Sequence, residues 1–410
     1  MMAGRLWASA ILATGAACAQ EYLPPIPVTH PAIQYFQAPV TDPVSAFLKK
    51  LQSGEAKLTS RGGDLGYLPS LLENFHIAVD SQALVFSKTS FQAPKISPKN
   101  PRAIYFTDDV AVAYVRGGNG LEIAATDPQQ GIVLYEFKAD ASGKPSFTRS
   151  DVCLKCHQGP ATLGVPGIFV GSVFPDPAGV PQREGAIITD HRTKFEDRWG
   201  GWYVNARRGE QPDRANSVAD NPADPTALNT EGQQNLTSLI GRFDPAGYLS
   251  PTSDIVALMT FEHQTQMINF FTRVNWEARM VEHDGKAAEV TRMQLNADLE
   301  SLAAYMTFAD EVPLKDPMEG VSTFTKTFSH RGPRDAKGRS LRDFDLQKRL
   351  FRYRLSYMIY SAQFDALPVD VRDRIYRLVY EKLAALPLEE RRAIVEIVRE
   401  TKPGVPEYWR

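Results

Sequence analysis

The chain has 410 residues, 43% of them hydrophobic, which is enough for one large domain or two ordinary ones. Lysine and arginine total 46 against 48 aspartates and glutamates, so no field of one sign covers the molecule, and nucleic acid is excluded as its main partner. After the first twenty residues no segment approaches the ~18 uninterrupted apolar residues of a transmembrane span.

Residues 1–19 read as a secretory signal peptide. Arg5 supplies the positive start, residues 6–17 are apolar or small, and Ala17-Cys18-Ala19 fits a small-x-small cleavage site that would leave Gln20 first. Lipid anchoring at Cys18 is the competing reading. It is the weaker one, because Gly15 stands where that signal wants a bulky aliphatic residue. The expected product is exported, periplasmic or otherwise outside the cytoplasm. Residues 20–80 follow as an extended arm and short helices. Five prolines between Pro24 and Pro39 favour the arm, and a helix over 44–51 has Asp42 as N-cap and Pro43 at its first position. A second short helix is expected over 67–75.

Residues 81–150 change character to a β-rich module. Short β-branched and aromatic runs at 83–87, 103–106, 110–115, 121–125 and 132–137 are separated by turn clusters such as Asp108-Asp109 and Arg116-Gly117-Gly118-Asn119-Gly120. Their regular spacing predicts an antiparallel meander or a small sandwich. Its polar residues form no paired constellation, so its role reads as structural.

Residues 151–235 open with Cys153-Leu154-Lys155-Cys156-His157. Two cysteines separated by two residues, with a histidine directly after, form the attachment pattern of covalent haem. Each thiol closes a thioether to one vinyl group, one helical turn matches the gap between them, and His157 is placed to bind iron as the proximal ligand. A thioredoxin-like pair would want a long helix after it, which Pro160 and Gly164 cut off. A zinc site would want four ligands, and only one thiol pair exists. Cys18 leaves with the signal, so the motif consumes both mature thiols. Further strands are expected at 168–174 and 185–188, then a charged, aromatic stretch, then a proline-rich loop over 207–234.

Residues 236–410 read as helical. Ser253 and Asp254 can cap a helix over 255–281, a second is expected over 287–310, and a Gly/Pro-rich loop spans 312–342. Helices over 344–364, 368–386 and 387–400 close the chain, with Pro368 and Pro387 at first-turn positions. The fold class is therefore α+β: a β-rich N-terminal half leading into a covalent-haem segment, then a mainly helical C-terminal half that packs on it.

The motif resembles that of c-type cytochromes, with Cys153, Cys156 and His157 matching the two thioether cysteines and the proximal histidine. The wider chain is similar to large secreted bacterial cytochrome-c-domain proteins of unassigned function. The resemblance implies one covalent haem c and export, and no reaction. Two departures stand. A β-rich segment precedes the motif, where the usual small domain is helical with the motif near its N-terminus. And no methionine in a Pro/Gly-flanked loop follows at the customary distance, so the sixth iron ligand does not carry over.

That ligand decides the function class. His263 is the leading distal candidate, with Met259 and Met267 one turn away on the same helical stripe as weaker ones; the same stripe also suits ordinary core packing. His191, beside Asp190, is a second distal ligand or a catalytic acid/base, or else a surface histidine. His76 and His330 have weaker context, and His30 and His283 read as exposed. Arg192, Arg198, Arg207 and Arg208 could pair with haem propionates, and Trp199 and Trp202 could pack on the porphyrin or in the core. Lys348, Arg349, Arg352 and Arg354 would form a basic helix face, solvated or docking an acidic redox partner. The leading expectation is an exported mono-haem cytochrome exchanging electrons with a periplasmic donor or acceptor. The alternatives are a haem oxidase or peroxidase-like enzyme acting on a small molecule at an open distal side, and a haem-based sensor signalling through the helical half.

Overall fold

The computed structural model describes residues 24–139, 144–183 and 185–409. The expected signal peptide and Cys18 lie outside them. Helix α1 (Pro43–Ser53) starts where expected: the Asp42 carboxylate accepts from the Val44 and Ser45 amides, and Gly54, at φ +80°, ends it. Helix α2 (Leu68–Asn74) follows. Strands β1 (Ala83–Val85), β2 (Arg102–Phe106), β3 (Val110–Tyr114), β4 (Leu121–Asp127), β5 (Gly131–Ala139) and β6 (Pro145–Arg149) then form an antiparallel meander.

The motif lies in the single turn α3 (Leu154–His157), after which β7 (Val170–Ser172) and β8 (Ile187–Thr189) make a separate ribbon. Strand β9 (Trp202–Tyr203) pairs with β1 and completes a seven-stranded sheet of order β6-β5-β4-β3-β2-β1-β9. The second half holds α4 (Ile255–Asp284), α5 (Glu289–Met306), α6 (Phe324–His330), α7 (Ala362–Asp365), α8 (Val369–Leu383) and α9 (Leu388–Thr401). The molecule is α+β, with the antiparallel sheet in its first half and helices in its second.

Period-two alternation sends the strand side chains to two separate cores. Ala103, Tyr105, Val112, Ile123 and Val133 pack against α1 and α2 on one face. Ile104, Phe106, Ala111, Ala124 and Leu134 pack against α4 on the other. Because both faces are covered, the strands are apolar on both sides, as the short continuous runs imply.

Helix α4 is the axis of the fold. Asp254 caps it through the Val256 amide, and every residue from Ile255 to Ala278 is buried, polar ones included. Several of the polar ones find partners on other elements. Gln264 donates to the Thr107 carbonyl, Gln363 donates to Thr272, and Arg273 binds Asp298, Glu277 and the Leu163 carbonyl. A helix buried all round needs such internal partners, since water cannot serve them.

Several elements differ from expectation. Residues 344–356 are not helical: the Asp345 carboxylate takes the Gln347 and Lys348 amides, and Leu346 has φ +55°. That local turn outcompetes a helix, and only a 3-10 turn (Tyr357–Tyr360) and α7 follow. The basic helix face therefore does not exist; Arg349 and Arg354 instead pair with Glu390 of α9. The reading of 312–342 as loop misses α6, and strands β6 and β9 were not expected. Among the described residues no helix is long and apolar enough to cross a membrane.

Candidate cofactor site at Cys153 to His157

Strand β6 delivers the chain to the site, and Ser150 and Asp151 turn it into α3. The amides of Cys156 and His157 both bond back to the Cys153 carbonyl, at 3.1 and 3.0 Å. This single turn fixes the cysteine spacing. Both thiols are free; Cys153 is half-buried against the core and Cys156 is exposed. Burial pushes the Cys153 thiol up, against an opposing hydrogen bond to Ser150 and with the charges of Glu136 and Glu122 adding to the rise.

His157 is held by one residue through two bonds. Its Nδ1 lies 2.9 Å from the Gly167 carbonyl, and the Gly167 amide donates to the His157 carbonyl at 2.8 Å. A carbonyl only accepts, so Nδ1 carries the proton and Nε2 keeps its lone pair. Burial and the nearby Arg102 charge lower the imidazole's pKa, although the Gly167 bond opposes them. A neutral ring with a free Nε2 is what a metal ligand requires. The N-terminal arm straps the loop in place: the Ile26 amide donates to the Gly164 carbonyl, and Gln158 donates to the Ile26 carbonyl at 2.7 Å. The donor set of two free thiols and one oriented imidazole fits a covalently attached haem.

Arg102, at the start of β2, is the cation that the sequence reading missed. Its side chain is 16% exposed, its pairing to Glu122 is long at 3.4 Å, and its Nε is buried without a partner. Its charge helps to lower the His157 pKa, so it is a candidate guanidinium for a carboxylate held near this site. The four arginines expected in that role are used elsewhere. Arg192 is paired with Asp190 at 2.6 Å, Arg208 with Asp213 at 2.7 Å, and Arg207 with Glu319 at 3.1 Å. Arg198 is buried against Glu262 and the carbonyls of Thr193 and His191. Trp199 and Trp202 are core residues, donating to Glu262 and to the Gly171 carbonyl.

The distal candidates are engaged or buried within the core. Asn269 of α4 donates to the Ile168 carbonyl at 3.0 Å, beside Gly167, so α4 backs the Nδ1 side of His157. A metal held by His157 would be taken by Nε2, since Nδ1 is spent on Gly167. His263 sits six residues, about 9 Å, further along that helix. Its Nε2 is 2.8 Å from the Ser356 hydroxyl, its Nδ1 is 3.1 Å from His191 Nδ1, and its ring stacks on Tyr305 and Phe308. With both nitrogens engaged it is not free to ligate. Met259 and Met267 share its stripe but are buried in the core.

His191 is likewise no surface histidine. It is 3% exposed, and Asp190, expected to orient it, is instead bound to Arg192. His76 and His330 are exposed. His30, expected to be exposed, is half-buried between the arm and the end of α4.

His30, His283 and Asp284 are close enough to suggest a metal site. The Ala32 amide donates to His30 Nδ1 at 3.2 Å, which leaves the ring proton on Nε2, facing Asp284. The group is a hydrogen-bonded clasp that pins the arm to α4. Comparison with protein-family models, curated proteins and solved structures finds no match for this chain.

Proposed function

We propose that this chain is an exported, mono-haem c-type protein that performs redox chemistry with an electron donor or acceptor outside the cytoplasm. One haem c is joined through Cys153 and Cys156, with His157 as its proximal ligand. The observation that carries the reading is the 2.9 Å contact of His157 Nδ1 with the Gly167 carbonyl, which leaves Nε2 as the ring's donor atom. When bound, the haem supplies a one-electron redox centre. The chain's own part is to present a neutral imidazole, to hold it rigid between Gly167 and the strap of Ile26 and Gln158, and to offer Arg102 to a haem carboxylate.

A second reading, a haem enzyme acting on a small molecule, is favoured by one specific observation. His263 is engaged through both nitrogens, which counts against the leading sixth ligand and supports a reading in which an exogenous molecule binds there.

The test is expression with export and haem-c maturation, followed by a pyridine haemochrome assay and haem staining of the denatured chain. Haem is expected to stay with the polypeptide and to be lost in Cys153→Ser/Cys156→Ser. A wild-type chain without covalent haem overturns the proposal. Ferric spectra then separate the readings: low-spin iron indifferent to cyanide supports the carrier, and high-spin iron that binds cyanide supports the enzyme.

A further inference from the structure

We infer that Asn269, at the middle of α4, is the positioning residue that sets the orientation and basicity of His157; the inference rests on the haem reading above. Asn269 is fully buried. Its Nδ2 donates to the Ile168 carbonyl at 3.0 Å and to Gln266 Oε1 at 3.1 Å, and these two acceptors fix which end of the amide points where. Among the described residues its Oδ1 has no hydrogen-bond partner, and it is turned onto the Cα of Gly167 instead.

The fit there leaves no slack. A Cβ on Gly167 would lie 2.1 Å from Asn269 Oδ1 and 2.9 Å from Thr162 Cβ. Gly167 is thus crowded by Asn269 and Thr162 on the side a Cβ would occupy, while its carbonyl and amide both hold His157. Asn269 pins the peptide on one side of that carbonyl through Ile168 and blocks its Cα on the other. The most buried helix of the fold therefore controls the aim of the acceptor that polarises the imidazole. An N–H···O=C bond at Nδ1 makes Nε2 a stronger donor, and a stronger donor favours oxidised iron. Loosening the carbonyl should then raise the reduction potential.

The experiment compares holoprotein of wild type, Asn269→Ala, Asn269→Ser and the control Asn275→Ala. Asn275 is equally buried on the same helix, and its side-chain amide makes no hydrogen bond. The readouts are midpoint potential and either the ferrous iron–imidazole stretching band or, for six-coordinate iron, the ferric EPR g-values. Asn269→Ala is expected to move the potential upward and to lower the stretching band. Asn269→Ser, which removes the same amide but keeps a small polar group at the buried site, should shift in the same direction and serves if the alanine form does not fold. Asn275→Ala should leave both readouts at wild type. Covalent haem with unchanged potential and iron–imidazole signature in the Asn269 variants overturns this inference and leaves the haem reading intact. No covalent haem in wild type overturns the haem reading itself.

Discussion

His191 and His263 meet head to head inside the core, Nδ1 to Nδ1 at 3.1 Å. Only one proton fits between those atoms, so the pair is stable with both rings neutral. Burial drives both pKa values well below the ordinary histidine range, with Arg192 and Arg198 adding to the effect on His191 and the opposite ring adding to it on His263; Asp190 opposes it on His263. An unfolded chain binds these protons near pH 6.5 and the folded one does not, so stability is full above that pH and falls as pH drops below it. Neighbouring Glu262 acts with the opposite sign: burial pushes it up to about 7 despite Arg198, so it adds stability as pH falls from there towards its ordinary value. Melting temperature against pH, in wild type and His191→Gln/His263→Gln, isolates the histidine part. The double variant should lose less stability per pH unit below about 6.5; equal slopes would refute the assignment.

On the proposed haem reading, His263→Ala should leave the optical and EPR spectra unchanged, because its ring serves Ser356 and His191. It should still cost roughly 2–4 kcal/mol of stability through two lost hydrogen bonds and a cavity against Tyr305 and Phe308. Spectra and a urea titration check both halves. A change of spin state would restore His263 as an iron ligand.

Arg102→Leu removes the cation beside His157 and leaves Glu122 without its guanidinium. On the proposed haem reading both changes favour oxidised iron, so the midpoint potential should fall. Potentiometry at low and high salt tests this, and since the pair is largely buried the shift should survive salt. An upward shift contradicts a role for Arg102 at the proposed haem.

Asp42 does two jobs while fully buried: it caps α1 and accepts the Tyr135 hydroxyl at 2.8 Å. Asp42→Ala should destabilise the fold by about 2–3 kcal/mol, the sum of a lost cap and an orphaned buried hydroxyl. Asp42→Asn, which keeps an acceptor, should cost less. Denaturant midpoints give the comparison, and equal costs for the two would sink the capping account.

Local chemistry was legible in the chain without its coordinates. Asp42-Pro43 marked the start of α1, Asp254 that of α4, and the short β-branched runs marked five strands of the meander, because caps, turns and alternation act within a few residues. The cysteine–histidine spacing is of the same kind, since one backbone turn creates it. What failed was any inference that needed two distant segments. His263 looked like a free donor on a helical stripe, and only packing showed Ser356 and His191 closing off its two nitrogens. The arginine cluster looked available until Asp190, Asp213, Glu262 and Glu319 were folded onto it, while Arg102, isolated in sequence, was brought to the motif by the sheet. Asn269 carried no signal at all: its meaning lies in the missing side chain of Gly167, about a hundred residues earlier. Hydrogen-bond saturation and close approach are properties of pairs, and a buried helix such as α4 takes its partners from the whole chain.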